Sequence, residues 1–178
     1  LIIPKSLQKL NNLWCKGANM LNEIEVDSKN NFFSIKDDFL IYEDDKSKSK
    51  EILFSPREIS GEYSVPEGIT RIGNYSFYNR ERITSVKSTS STLDLISSYS
   101  FYKCDNLESL AFDQNNQLSL GKFCFSNAKK LSTIDIRCKE LKIQDNCFSD
   151  CPSLTTINIE SKEKTILCPQ SFKNCNKI

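Results

Sequence analysis

Apolar positions along the chain follow a recurring phrase rather than one long period. An aliphatic residue is followed five positions later by Phe, often by Cys three after that, and then by Leu/Ile-x-x-Leu/Ile/Val. In most copies another apolar residue comes two positions further on. Phe77, Phe101, Phe125, Phe148 and Phe172 mark the copies, spaced 24, 24, 23 and 24 residues apart. Around them run IGNYSFYNRERITSVKS (72–88), ISSYSFYKCDNLESLAF (96–112), LGKFCFSNAKKLSTIDI (120–136) and IQDNCFSDCPSLTTINI (143–159), with a truncated copy LCPQSFKNCNKI (167–178). A degenerate copy, LNNLWCKGANMLNEIEV (10–26), has Cys15 in the Phe column and Trp14 beside it; its lead-in IPKSLQKL (3–10) matches VPEGITRI (65–72). Self-similarity at such a period is the signature of a repeat architecture.

The spacing within a unit predicts its elements. Leu131, Ile134 and Ile136, like Leu154, Ile157 and Ile159, end in a period of two, which is a short strand with Thr133, Asp135, Thr156 and Asn158 on its other side. The first half of the unit has no 3.6-residue run, so Phe and its aliphatic partner anchor a turn or 3₁₀ segment, with room for a second brief strand at 118–120 or 141–143. A unit of this size cannot bury its own apolar face, so neighbours stack and share a core. The expected fold is a β-rich repeat solenoid of ~23–24-residue parallel units.

Cys15 to Phe77 is 62 residues, one repeat of 24 plus an extra 38. The extra piece holds FFSIKDDFLIYEDDKSKSKEILFSP (32–56), whose apolar bursts are split by Asp37-Asp38 and by the polar run 44–50. That reads as an antiparallel β-hairpin or meander. The division expected is a first repeat at 1–26, an inserted meander at 27–64, and four full repeats plus a truncated one at 65–178, all one solenoid fragment of a longer array. The basic run 45–50 is a solvated turn rather than an anion patch, given Glu43, Asp44 and Asp45 beside it.

Composition narrows the function. Net charge is +1, from 24 Lys+Arg and 23 Asp+Glu, so no basic field points to nucleic acid or an anionic membrane. No apolar run nears the ~20 residues of a membrane-spanning helix. The absence of His removes His bases, triads and metal ligands together, and five scattered glycines form no phosphate loop. The carboxylates are dispersed. No catalytic residue, cofactor or metal site is expected, and the chain is not read as an enzyme. Of eight cysteines, Cys104, Cys151 and Cys175 share one repeat column, Cys124 and Cys147 another, and Cys15 sits in the Phe column. These six read as core-facing thiols, since free Cys behaves as a small hydrophobe, and Cys138 and Cys168 as the exposed pair. Asn74-Tyr75-Ser76 is the one N-x-S/T sequon, making Asn74 the possible N-glycosylation site. Tyr75, Tyr78, Tyr99 and Tyr102 flank Phe77 and Phe101 at matching places, as packing or as an exposed strip.

The phrase I-G-x-x-[SAC]-F-x-x-C-x-x-L-x-x-I-x-I, best matched by 143–159 and by IGNYSFYNR (72–80), resembles the BspA-type leucine-rich repeats of bacterial and anaerobic-protist surface proteins. The VPEGITRIG lead-in and SIKDDFLIY (34–42) resemble that family's lead-in and hairpin. Cys15 in place of Phe, Arg80 and Ala128 in place of Cys, and Ser88 in place of an aliphatic residue depart from it. The resemblance implies non-enzymatic adhesion: a cell-surface or secreted module that binds a protein or glycoprotein partner, on a host cell or matrix. The alternative is a cytoplasmic scaffold that assembles other proteins. The face expected to bind is the solvent side of the strands, Ser85, Lys87, Ser109, Ala111, Thr133, Asp135, Thr156 and Asn158, extended by Glu23 and Glu25.

Overall fold

The computed structural model describes residues 1–18, 21–114 and 116–178, and every regular element among them is a β-strand. Asn19 and Met20 of the degenerate first unit lie outside the described residues. At the start, β1 (Ile2–Ile3) and β2 (Glu25–Val26) form a two-stranded parallel sheet. Next, β3 (Phe33–Lys36), β4 (Phe39–Glu43) and β5 (Lys50–Phe54) make an antiparallel meander. Its first turn places Asp37 and Asp38 at positive φ (50° and 63°), a conformation that Asp tolerates better than most residues. In its second turn Asp44 Oδ1 accepts from the Lys46 and Ser47 amides at 3.1 and 2.8 Å. That is the solvated turn read from the sequence.

The remaining strands are β6 (Gly61–Ser64), β7 (Arg71–Ile72), β8 (Ile83–Ser88), β9 (Leu95–Ile96), β10 (Ser109–Asp113), β11 (Gln117–Leu120), β12 (Thr133–Ile143) and β13 (Thr156–Leu167). They stack into two parallel ladders. One runs β6–β8–β10–β12–β13 and the other β5–β7–β9–β11–β12–β13. The long strands β12 and β13 pass through both, with a register shift between Cys138 and Glu140 where the chain turns the corner. Within the span 27–64, β5 and β6 thus also pair in parallel with solenoid strands. The outcome is a β-solenoid of ~23–24-residue units with an antiparallel meander attached, and the short second strands foreseen at 118–120 and 141–143 lie in β11 and β12.

The core runs along the axis between the ladders. Phe77, Phe101, Phe125, Phe148 and Phe172 stack ring on ring with centroids 4.5, 5.2, 5.5 and 5.3 Å apart. The rung next to Phe77 is not Cys15. Ser55 holds that place, its amide donating to Ser76 O at 2.9 Å just as the Phe77 amide donates to Ser100 O. Phe39 and Tyr63 fill the missing ring volume, 5.8 and 4.8 Å from the Phe77 centroid. Cys15 instead packs in a second small cluster with Ile3, Phe33, Leu40 and Phe54, and Trp14 covers it.

Each turn carries two residues at positive φ, two before and two after the Phe: Tyr75/Asn79, Tyr99/Lys103, Phe123/Asn127, Asn146/Asp150 and Gln170/Asn174. The second column holds Asn or Asp except at Lys103 (φ 61°). Lys103→Asn is therefore expected to stabilise the fold by about 1 kcal/mol, since the left-handed conformation penalises an ordinary side chain and Asn visits it readily. A higher urea midpoint at unchanged m-value is the readout.

Candidate functional site

The strand register sorts the expected face into columns. Glu62, Ser85, Ser109, Thr133 and Thr156 are aligned across successive rungs, and so are Ser64, Lys87, Ala111, Asp135 and Asn158. Neighbouring strands lie ~4.8 Å apart, so each column is a closely spaced row of mostly small polar groups, with Ala111 the one apolar rung of the second. Ser85, Ser109, Thr133 and Asp135 are half-buried by their neighbours, while Lys87, Ala111, Thr156 and Asn158 are exposed. Alternation continues into a third row, Asp113, Arg137 and Glu160, which the sequence reading stopped short of. Arg137 lies 3.3 Å from Asp135, 3.7 Å from Asp113 and 3.7 Å from Glu160. Lys87 similarly contacts Glu62. Such exposed pairs add at most ~1 kcal/mol each, so they set the charge pattern rather than hold the fold. Glu23 and Glu25 stand apart, Glu25 being in β2 of the separate sheet, and Glu23 lending only its carbonyl, to the Leu1 amino group at 2.9 Å.

A second solvent face lies over the other ladder. Arg71 pairs with Asp94 at 3.7 Å and Gln117 Nε2 donates to Glu140 Oε1 at 3.0 Å. It too is a shallow mixed-charge surface. Along the turns, Tyr75, Tyr99 and Phe123 stack at 5.1 and 5.0 Å, and Tyr78 lies over Tyr102 at 5.8 Å. Their ring faces meet one another, so this half-buried strip presents ring edges to solvent. Asn74 is half-buried in the same turn and the Ser76 hydroxyl of its sequon is buried, donating to Gly73 O at 2.8 Å.

The cysteine columns show what the repeat asks of them. Cys104, Cys151 and Cys175 each point a thiol at the carbonyl of the preceding unit's Phe, Phe77, Phe125 and Phe148, at 3.3, 3.4 and 3.0 Å. Cys is small, tolerates burial, and still offers a weak donor to an interior carbonyl. Cys124 and Cys147 lie Sγ to Sγ at 3.3 Å. Cys138, expected to be exposed, is buried: β12 runs on past Ile136, so alternation carries Cys138 to the inner side with Ile134 and Ile136, and its thiol reaches Glu140 O at 3.4 Å. Cys168 is half-buried. Burial pushes the thiols of Cys15 and Cys104 up to about 11 and about 12 and also raises Cys138. Cys168 is the one of the eight thiols that is not buried, so it is expected to react with a disulfide reagent first and Cys138 only at the pace of unfolding. Peptide mapping after a brief native labelling checks this, and equal rates at the two sites would refute it.

Among the described residues no three Cys, Asp or Glu side chains gather as a metal-ligand cluster, and no helix is long and apolar enough to cross a membrane.

The fold has solved counterparts. A leucine-rich cell surface protein from Faecalibacterium prausnitzii A2-165 superposes with a TM-score of 0.82 at 20% identity, covering 100% of this chain and 46% of the other. The pneumococcal vaccine antigen PcpA gives 0.72 at 17% identity, covering 96% and 42%. A leucine-rich-repeat protein from Eubacterium ventriosum gives 0.61 at 20%, covering 99% and 52%. The chain thus spans about half the length of these structures or less. No curated protein matches the sequence. The BspA type leucine rich repeat region matches residues 51–178 in six copies, starting within β5, where the parallel ladders also start. By that match and by its stacked Phe-centred turns, the chain belongs to the BspA-type leucine-rich-repeat family.

Proposed function

We propose that the chain is a non-enzymatic protein-binding module of a cell-surface or secreted protein, and that a protein or glycoprotein partner lies along the solvent side of the β8–β10–β12–β13 strands. The observation that carries this reading is the alignment of Ser85, Ser109, Thr133 and Thr156 beside Lys87, Ala111, Asp135 and Asn158 in continuous rows. Rows at strand spacing supply many weak hydrogen-bonding sites on a rigid support. Avidity along such a surface substitutes for one deep pocket. Matching repeats in proteins named as a leucine-rich cell surface protein and as a vaccine antigen support an extracellular setting. In that setting Asn74 is the acceptor for an N-linked glycan, and residues 65–178 are the regular binding array that follows the inserted meander at 27–64.

The test has two parts. Protease shaving of intact cells making the parent protein should release peptides from 65–178 without lysis. If they appear only after permeabilisation, the surface reading fails and a cytoplasmic scaffold takes its place. Asp135→Arg reverses a charge at the centre of the rows next to Arg137, and should weaken cell or matrix binding roughly tenfold with the fold intact. Unchanged binding would move the contact to another face.

A further inference from the structure

Where the meander joins the regular turns, an open cavity of about 280 Å³ lies between Arg57 and Glu58, which follow β5, and Asn79, Arg80, Glu81 and Arg82, which follow Phe77. Arg80 is the unusual wall. Its repeat position is held by Cys104, Ala128, Cys151 and Cys175 in the other units, all small and all buried. Arg80 is itself only 8% exposed. Its Nε donates to Ser55 Oγ at 3.0 Å, Nη2 to Ser55 O at 2.8 Å and Nη1 to Tyr78 O at 3.1 Å. The guanidinium also lies over Phe54, with Cζ 5.1 Å from the ring centroid.

Part of this is the thiol's job done by another group. Elsewhere in the column a Cys donates to the preceding Phe carbonyl, and here Arg80 donates to Ser55 O, since Ser55 holds the Phe place. That job needs no charge. A guanidinium carries five N–H donors, and three are used, leaving one on each terminal nitrogen. Among the described residues no carboxylate lies within ion-pair distance of Arg80. The nearby thiols of Cys15 and Cys104 are held neutral by burial, and Arg57 adds a further positive charge to its surroundings. Glu58 is engaged by Arg82 across the mouth. A buried charge with hydrogen bonds but no counter-charge is costly to keep, and the cavity is where a counter-charge from outside can reach it.

We propose that this cavity is an anion site, taking the carboxylate group of a ligand onto Arg80. Two N–H groups on adjacent nitrogens match the two oxygens of a planar carboxylate. The carboxylates of Glu58 and Glu81 at the rim repel a multiply charged phosphate more than a monoanion. The carboxylate comes either from a free small acid or from an acidic side chain of a protein partner. The site is separate from the strand rows, so failure of the adhesion reading leaves it standing.

The experiment follows the Arg80 Nε–H resonance of the intact chain while sodium acetate is titrated against sodium chloride at equal ionic strength. A saturable shift with acetate alone is expected, with an affinity on the order of millimolar. No shift, or the same shift with chloride, overturns the site. Arg80→Cys restores the column's usual residue and should abolish acetate-dependent thermal stabilisation; equal stabilisation of both proteins also overturns it. Should that variant not fold, the resonance titration decides alone. A short acidic peptide compared with acetate at equal carboxylate concentration separates the sources: tenfold or tighter binding, about 1.4 kcal/mol, assigns the site to a protein partner's side chain, and equal binding to a free acid.

Discussion

Truncating Phe125 to alanine is expected to cost about 3–5 kcal/mol, the range for a fully buried core aromatic. The ring is fully buried and lies between Phe101 and Phe148 at 5.2 and 5.5 Å, with Phe112 at 6.4 Å. The hole cannot close by collapse, because rungs above and below are held at strand spacing by both ladders. In a linear stack each unit touches only its neighbours, so a weakened middle unit also uncouples the two ends. Denaturant unfolding should therefore lose its single transition as well as shift, with the probes no longer coincident. Phe172 is the control: it stacks on one side only and is half-buried, so Phe172→Ala should cost roughly 1–2 kcal/mol. Equal losses at the two positions would mean that the stack is not the organising core.

Much of this was legible because a solenoid repeats its instructions. The five Phe residues and the aliphatic residue five before each gave the stack, and the alternation at Ile134 and Ile136 gave the outward rows. The legibility failed where one unit departs from the others. Alignment of 10–26 with the other copies puts Cys15 in the Phe column of the first unit, and Cys15 is buried, but nothing in that alignment shows that the rung next to Phe77 is Ser55 or that its bulk comes from Phe39 and Tyr63. Nothing local to Ser55 marks it, since its place is fixed by a hydrogen bond to a residue 21 positions away. Cys138 was expected outside because it lies beyond the repeat's cysteine columns, but β12 outruns the repeat phrase and its alternation still turns Cys138 inward, two residues past Ile136. Arg80 showed in the sequence as a departure from Cys, but only the structure reveals that it caps Ser55 and keeps its charge beside an open cavity. The aromatic rings at Tyr75, Tyr99 and Phe123 gave no hint of their positive φ, because Asn146 in the same column is the only copy whose residue type advertises it.

Deleting Asp135 is expected to abolish cooperative folding, whereas inserting one residue after Lys139 should cost no more than about 1 kcal/mol. Side chains alternate across a strand, so a one-residue slip exchanges its two faces. With Asp135 removed, either Thr133 and Ile134 or Ile136 and its followers keep their pairing with β10 and β13, and the other part turns its apolar residues outward. Ile134 and Ile136 are completely buried, and exposing one while burying a charged neighbour such as Arg137 outweighs what a marginal fold can spare. The corner is different, and the molecule has already varied it. The Phe125–Phe148 unit is one residue shorter than its neighbours. That residue is absorbed where Cys138 pairs with Ser161 and Glu140 with Lys164, so that two residues of β13 face Lys139 alone. An insertion there gives this unit the length of the others and disturbs only exposed positions, among them the Lys139–Glu163 pair at 3.4 Å. Circular dichroism and urea unfolding of the two variants, side by side, measure the contrast. If the insertion is as damaging as the deletion, the corner is not where the repeat takes up its length, and the two ladders are coupled more rigidly than their register implies.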